Sequence, residues 1–326
     1  MRIVLFVVSA VLLALSVFQT RLFSIIFWHT DAFTVMSLCM LASGAGGLWA
    51  FFVPSLRNGR RRRDILPILL PILSVSLLLS HFTILHLPEL SPNWGATAAT
   101  AVAMLPFFLG GFILGTAIAS QPESISGFYF WDMLGASAGA LGALPLIEAM
   151  NGPRAIAVLS EILLAVSMWL CLTDRRRLAF RVCKWLVPAL ALFIFAPDVA
   201  NSLRVRFAKG RVLLEPELEI WSPSGRVTAV GSMPKFLLVD ATGLSPVIEG
   251  GQNFEKTTFL KHSILQLGHA LGPFKKVAVL GSGGGSDIVA SLIEGAESIA
   301  AVEINDGIAR AMTKDLSLIH ISEPTR

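Results

Sequence analysis

Between Ile3 and Leu172 the chain carries six apolar runs, each near the length that a helix needs to cross a bilayer. They are Ile3–Gln19, Ala32–Pro54, Ile65–Leu85, Gly95–Ala119, Met133–Met150 and Ala155–Leu172. In hydrocarbon every backbone polar group must be paired within the segment, so runs of this length are read as membrane-spanning helices. Composition agrees: 54% of residues are hydrophobic and 15% are charged, against about 25% charged in soluble domains. Mean hydropathy is +0.70. The first run follows a single Arg2 and lacks a small-x-small cleavage site before a polar start, so it reads as a span rather than a signal peptide.

Small residues inside the runs predict close helix contacts. Ser43–Gly47, Gly111 with Gly115, and Gly135 with Gly139 and Ala143 each place small side chains on one helix face. Pro67 and Pro71 are expected to interrupt the third run, and 120–131 to form a loop ending in the interfacial aromatics Tyr129, Phe130 and Trp131. Gln19–Asp31 reads in the same way as an interfacial stretch. Ionisable groups within the runs are few: Glu161 in the sixth, with His81 and Glu148 near the ends of the third and fifth. Such residues raise the question of transport, which no acid–base pair or repeat supports.

The net charge of +4 comes largely from two arginine clusters, Arg57 with Arg60–Arg63, and Arg175–Arg177 with Arg181 and Lys184. Clusters beside apolar runs set membrane orientation rather than bind nucleic acid. Four runs separate them, so both face the same side, and the expected location is a bacterial-type inner (plasma) membrane. The next apolar piece, Trp185–Ala196, is short and ends at Pro197. It reads as interfacial or re-entrant, which puts the C-terminal domain in the cytoplasm; an extension back through Arg181 would instead make it a seventh span. Cys39, Cys171 and Cys183 lack metal or disulfide spacing, and no metal site is expected.

After Arg204 the pattern changes. Leu218–Trp221, Arg226–Val230 and Phe236–Asp240 read as short antiparallel strands, the first two joined by a turn at Ser222–Gly225. Phe254–Leu271 has apolar residues at helical spacing, at Phe259, Leu260, Ile264, Leu267 and Leu271. Val277–Leu280 then runs into the cluster Gly281, Ser282, Gly283, Gly284, Gly285, followed by Ser286 and Asp287. A helix over Asp287–Ala296 and a strand over Ser298–Ile304 complete a β-α-β unit. Its glycines permit a sharp turn and close approach to a ligand, and the helix start offers free N–H groups. Glu303, at the tip of the second strand, is placed to accept hydrogen bonds from ribose hydroxyls. NAD and S-adenosylmethionine sites share this layout; the strict dinucleotide pattern needs glycine at 286, where this chain has Ser.

The order of elements resembles the spermidine synthase family of aminopropyltransferases, and more closely its membrane-fused branch. The resemblance lies in RVTAV at 226–230, FLLVDATG at 236–243, KHSILQLGHAL at 261–271, KKVAVLGSGGGSD at 275–287 and AAVEIN at 300–305. In the membrane part it lies in TRLFSIIF at 20–27 and FYFWDMLGASAGALGALPL at 128–146. Val279 stands where ordinary class I methyltransferases carry an acid. Gly284 stands where the synthases have an aspartate, and Tyr129 is the single tyrosine, so the tyrosine-rich polyamine pocket has no counterpart.

The resemblance implies a polytopic α-helical membrane domain over 1–200 and a small antiparallel β element over 201–250. An incomplete α/β Rossmann-like (class I methyltransferase-like) domain over 251–315 follows. It implies S-adenosylmethionine or its decarboxylated form as ligand, held by Gly281–Gly285, Asp287, Glu303 and Ile304, and a small amine as acceptor, with Asp240 and His262 as substrate candidates. The bilayer is the expected partner, and nucleic acid is not. The catalytic aspartate is expected beyond the residues given, because LSLIHISEPTR at 316–326 reads as translated adapter DNA or a disordered tail. Three functions follow: a membrane-anchored aminopropyl transferase, a membrane-bound methyltransferase, or a transporter or sensor with a degenerate nucleotide-binding domain.

Overall fold

The computed structural model describes residues 1–53, 59–90, 94–120, 124–150, 152–173, 183–188, 203–231, 235–248 and 254–315. The expected tail and most of the piece read as interfacial lie outside these residues. The chain forms two compact units, Met1–Leu213 and Leu214–Arg326. The boundary therefore falls later than the expected 200. The β element and the glycine-rich region belong to one unit.

The first unit contains α1 (Arg2–Ile26), α2 (His29–Phe52), α3 (Gly59–Leu90), α4 (Gly95–Ile118), α5 (Ile125–Ala149) and α6 (Arg154–Thr173). Each includes a stretch long and apolar enough to cross a membrane. Three helices exceed the expected bounds by more than a turn. α3 runs from Gly59 to Leu90 against the expected Ile65–Leu85, so the backbone of Arg60–Arg63 is helical. α1 continues through Thr20–Ile26 and α5 begins at Ile125, so neither stretch is an interfacial loop. Neither extension contains proline, and each additional helical residue satisfies a backbone pair that an irregular segment would leave open.

Small residues set the contacts. A methyl group at Gly111 would collide with the Ser43 backbone, one at Gly115 with Gly47, one at Gly135 with Phe6, and one at Gly139 with Ala10. These contacts join α2 to α4 and α1 to α5 at the spacing anticipated from the sequence. Between the latter pair, the Ser9 hydroxyl donates to the Asp132 carboxylate. α3 is continuous through Pro67 and Pro71. Pro71 has no N–H to offer the carbonyl four residues earlier. Ser167 on α6 donates to that carbonyl, Pro67 O, at 2.7 Å. Ser74 and Ser160 exchange reciprocal bonds of 3.1 Å between side chain and backbone farther along the same interface.

Contact order defines the two ends. Positions 43 and 47 meet 111 and 115, so α2 and α4 run parallel; 6 and 10 meet 135 and 139, so α1 and α5 do too. Positions 67 and 74 meet 167 and 160, so α3 and α6 are antiparallel. The end of α2, the start of α3 with Arg60–Arg63 and the end of α6 therefore share one end of the bundle. Residues 183–188 are helical, and the Cys183 thiol donates to Ser167 Oγ at 3.4 Å, near that end. Leu186 and Val187 pack beside Ala157 and Leu164. At the other end, the Lys209 N–H donates to Ile26 O at 2.7 Å, and Lys209 Nζ lies 5.6 Å from the Trp28 ring centroid. Lys209 and Gly210, both in the left-handed region, turn the hairpin of β1 (Phe207–Ala208) and β2 (Arg211–Val212). Cys183 and Lys209 therefore lie toward opposite ends of the bundle; residues 189–202, on which the interfacial reading mainly rests, lie outside the described ones.

In the second unit, β3 (Leu218–Ser222), β4 (Gly225–Val230), β5 (Lys235–Val239) and β6 (Gly243–Val247) form an antiparallel meander in that order. β6 is absent from the expected set because Gly243 and Pro246 weaken its strand signature. Proline is tolerated there because β6 is an edge strand. Ile220, Val227, Ala229, Leu237 and Val247 form its buried face, with Ile308, Ala311 and Met312 in the same core. β7 (Lys276–Leu280) and β8 (Ser298–Val302) pair in parallel, joined through α7 (Ser286–Ile293), and α8 (Asp306–Arg310) follows.

Phe254–Leu271 is not an α-helix. It forms three 3-10 segments, Phe254–His262, Ile264–Leu267 and His269–Leu271, broken at the extended Ser263 and at Gly268. A short helix owes its stability to burial of its apolar stripe. Leu260 is buried with Ile248 and Val289 and Leu265 packs against them, whereas Phe259, Ile264, Leu267 and Leu271 are exposed.

Candidate functional site

The parallel register of β7 and β8 brings Gly281 beside the end of β8, where the Gly281 N–H donates to Val302 O at 2.8 Å. From there the loop is held at every step. The Gly283 N–H donates to Glu303 Oε2 at 3.0 Å, and Glu303 Oε1 accepts from the Asn305 N–H at 2.9 Å. The Gly284 N–H donates to Ser245 Oγ at 2.8 Å, the Ile248 N–H donates to Gly284 O at 3.1 Å, and the Gly285 N–H donates to Ser282 O at 2.9 Å.

Glycine is required twice over. Gly283 adopts φ +50°, and a methyl group at Gly284 would strike the Pro246 carbonyl of β6. The loop is therefore wedged between the β-sheet edge and the acid that ends β8. Gly285 is the N-cap of α7 and provides no side-chain cap, so the first N–H groups of that helix and its dipole are available to an anion. Asp287 sits in that first turn. A carboxylate there complements the helix dipole and would favour a cationic ligand group over a phosphate.

Glu303 keeps acceptor capacity after these two bonds, since an ionised carboxylate offers about four lone-pair sites. Ile304 beside it is 89% exposed, and Leu280 at the end of β7 is 81% exposed. Each exposes an apolar side chain at the carboxyl end of a parallel strand, where open α/β sheets bind ligands. Among the described residues no group of three His, Cys, Asp or Glu is placed to hold a metal ion.

The remaining candidates stand in other settings. Asp240 (φ +47°) and Ala241 (φ +61°) form the turn from β5 to β6. Asp240 Oδ1 accepts from the Arg226 N–H at 2.9 Å, which gives it a role in fixing that turn. His262 ends a 3-10 segment and is exposed, whereas His269 Nε2 lies 3.2 Å from Ser291 Oγ on α7. Two loop partners were not singled out from the sequence. Ser245 has no local signal, because it meets Gly284 only through folding. Asn305 was legible: it precedes a helix and its side chain accepts from the Gly307 and Ile308 N–H groups, as N-caps do.

No protein-family model, no curated protein and no solved structure matches this chain.

Proposed function

We propose that the C-terminal unit carries the adenosyl-ligand half of a spermidine-synthase-like, Rossmann-like transferase fold anchored by the membrane bundle. The observation that carries this reading is the bond from Gly283 N–H to Glu303, which locks a glycine turn to a strand-end acid. The residues fit an adenosyl ligand in three ways. Glu303 retains lone pairs for ribose hydroxyls, Ile304 offers a face for the adenine ring, and Asp287 suits a cationic sulfonium or amine better than a pyrophosphate. When bound, the adenosyl compound would supply the transferred group; Gly281–Gly285, Glu303 and Ile304 bind and orient it. The attacking amine must be neutral, so a general base is required, and none of the loop residues provides one.

Isothermal titration of the full chain in lipid nanodiscs tests the reading. S-adenosylmethionine or its decarboxylated form is expected to bind, and NAD is not; binding of NAD alone would overturn it. Tighter binding of the decarboxylated form marks aminopropyl transfer, and tighter binding of the intact form marks methyl transfer.

A second reading, that the bundle serves a sensor with a degenerate nucleotide-binding unit, is favoured by the position of Lys209 at the end opposite Arg60–Arg63. With the arginine-rich end in the cytoplasm, Leu203–Leu213 would lie on the outer face, and the C-terminal unit would leave the membrane there. Single cysteines at Asn58 and Lys209, in a background lacking Cys39, Cys171 and Cys183, distinguish the two. Labelling of position 209 but not 58 by a membrane-impermeant maleimide on intact cells supports the sensor reading. Labelling of neither until the cells are opened supports the cytoplasmic transferase.

A further inference from the structure

Within the bundle a cavity of about 440 Å³ lies between α3 and α6, with Leu186 and Leu203 completing its wall. Among the described residues its lining is apolar except at Ser74 and His81. The Ser74 hydroxyl is already committed to Ser160 O. His81 is 2% exposed, and neither ring nitrogen has a hydrogen-bond partner among the described residues. The Phe18 ring of α1 meets the imidazole edge-on at 6.0 Å between centroids. An unpaired buried imidazole is costly. A water would need two to four polar partners, and among the described lining residues His81 is the one with uncommitted polar side-chain atoms. Val75, Leu79 and Phe82, which also line the cavity, are about half exposed on the outer surface of the bundle. The cavity therefore borders the lipid-facing side, and its volume lies within the range of small-molecule sites.

We propose that this cavity binds a membrane-dissolved amphiphile, a hydrocarbon or isoprenoid body with a carbonyl or hydroxyl oxygen that hydrogen-bonds His81. A neutral imidazole presents one donor and one acceptor, which suits a quinone carbonyl or a protonated fatty acid. The ligand enters sideways from the bilayer past Leu79 and Phe82. This site is separate from the glycine loop and does not depend on the function proposed for it.

The test uses the full chain in nanodiscs of synthetic phosphatidylcholine with two photoreactive probes, a diazirine palmitic acid and a diazirine isoprenoid benzoquinone. Adducts are mapped by peptide mass spectrometry, with unlabelled competitor. At least one probe is expected to give competable adducts within 74–82 and 153–164, and the preferred probe identifies the source. His81→Leu, which removes the hydrogen bond, and Ala157→Phe, which fills the space, should each lower competable labelling at least tenfold, with elution volume and melting temperature retained. Adducts spread over the lipid-facing surfaces of α2 and α5, or labelling unchanged by either folded variant, overturn the proposal. If both variants fail to fold, the wild-type adduct map alone decides.

Discussion

Glu303→Gln separates the loop-holding role that the geometry shows from the ligand-binding role proposed for the same side chain. In the native loop, Oε2 accepts from Gly283 N–H at 3.0 Å and Oε1 from Asn305 N–H at 2.9 Å. An amide has one acceptor oxygen, so one of these donors must face an NH2 group and lose its partner. Hydrogen bonds to a charged group contribute about 1.5–3 kcal/mol each. Because this carboxylate is half-buried rather than fully enclosed, a local loss of about 1–2 kcal/mol is the reasonable figure. That free energy corresponds to roughly 5–30-fold more frequent opening of the loop. Hydrogen exchange followed by mass spectrometry on the full chain in nanodiscs would read it as faster exchange of peptides containing Gly283 and Asn305, with β3–β5 unchanged. In the same sample, affinity for the adenosyl ligand should fall about tenfold or more, since a ribose hydroxyl bond is lost as well. Unchanged exchange at Gly283 and Asn305 would refute the structural role. Faster exchange with undiminished ligand affinity would refute the binding role.

Other outcomes follow from the packing. Gly139→Val should separate α1 from α5 and cost several kcal/mol, lowering the temperature of aggregation on heated size-exclusion chromatography, whereas Gly142→Ala, which points into open space, should leave it unchanged. Ser167→Ala leaves Pro67 O without its donor and should cost about 1 kcal/mol, measured by unfolding in mixed micelles; no loss would mean that α3 tolerates its prolines without help from α6. Gly284→Ala drives a methyl group into the Pro246 carbonyl, so ligand binding should be lost together with protection of the loop amides, and a variant that binds normally would rule out the wedged geometry.

The amino-acid sequence determined the features that rest on local pattern. Span length follows from the thickness of hydrocarbon, so six helices were legible from apolar run length, and Gly111, Gly115, Gly135 and Gly139 announced their contacts through four-residue spacing. The β-α-β unit and the place of Glu303 at the end of β8 were equally readable, because strand, turn and helix signals adjoin in the chain. The tertiary structure decided what depends on distant partners. The apolar stripe of 254–271 implied a helix, but only Leu260 and Leu265 found a surface, and the segment settled into 3-10 turns. Pro67 and Pro71 implied a break, but Ser167, a hundred residues away, supplies the bond that keeps α3 continuous. Asp240, a substrate candidate, also accepts from the Arg226 N–H, a contact that exists only once β4 lies alongside. The contacts of Cys183 with Ser167 and of Lys209 with Ile26 put these two residues toward opposite ends of the bundle, which no local pattern announces. Length and periodicity act over a few residues and can be read along the chain. Burial and hydrogen-bond partnership depend on which segments meet, and only folding decides that.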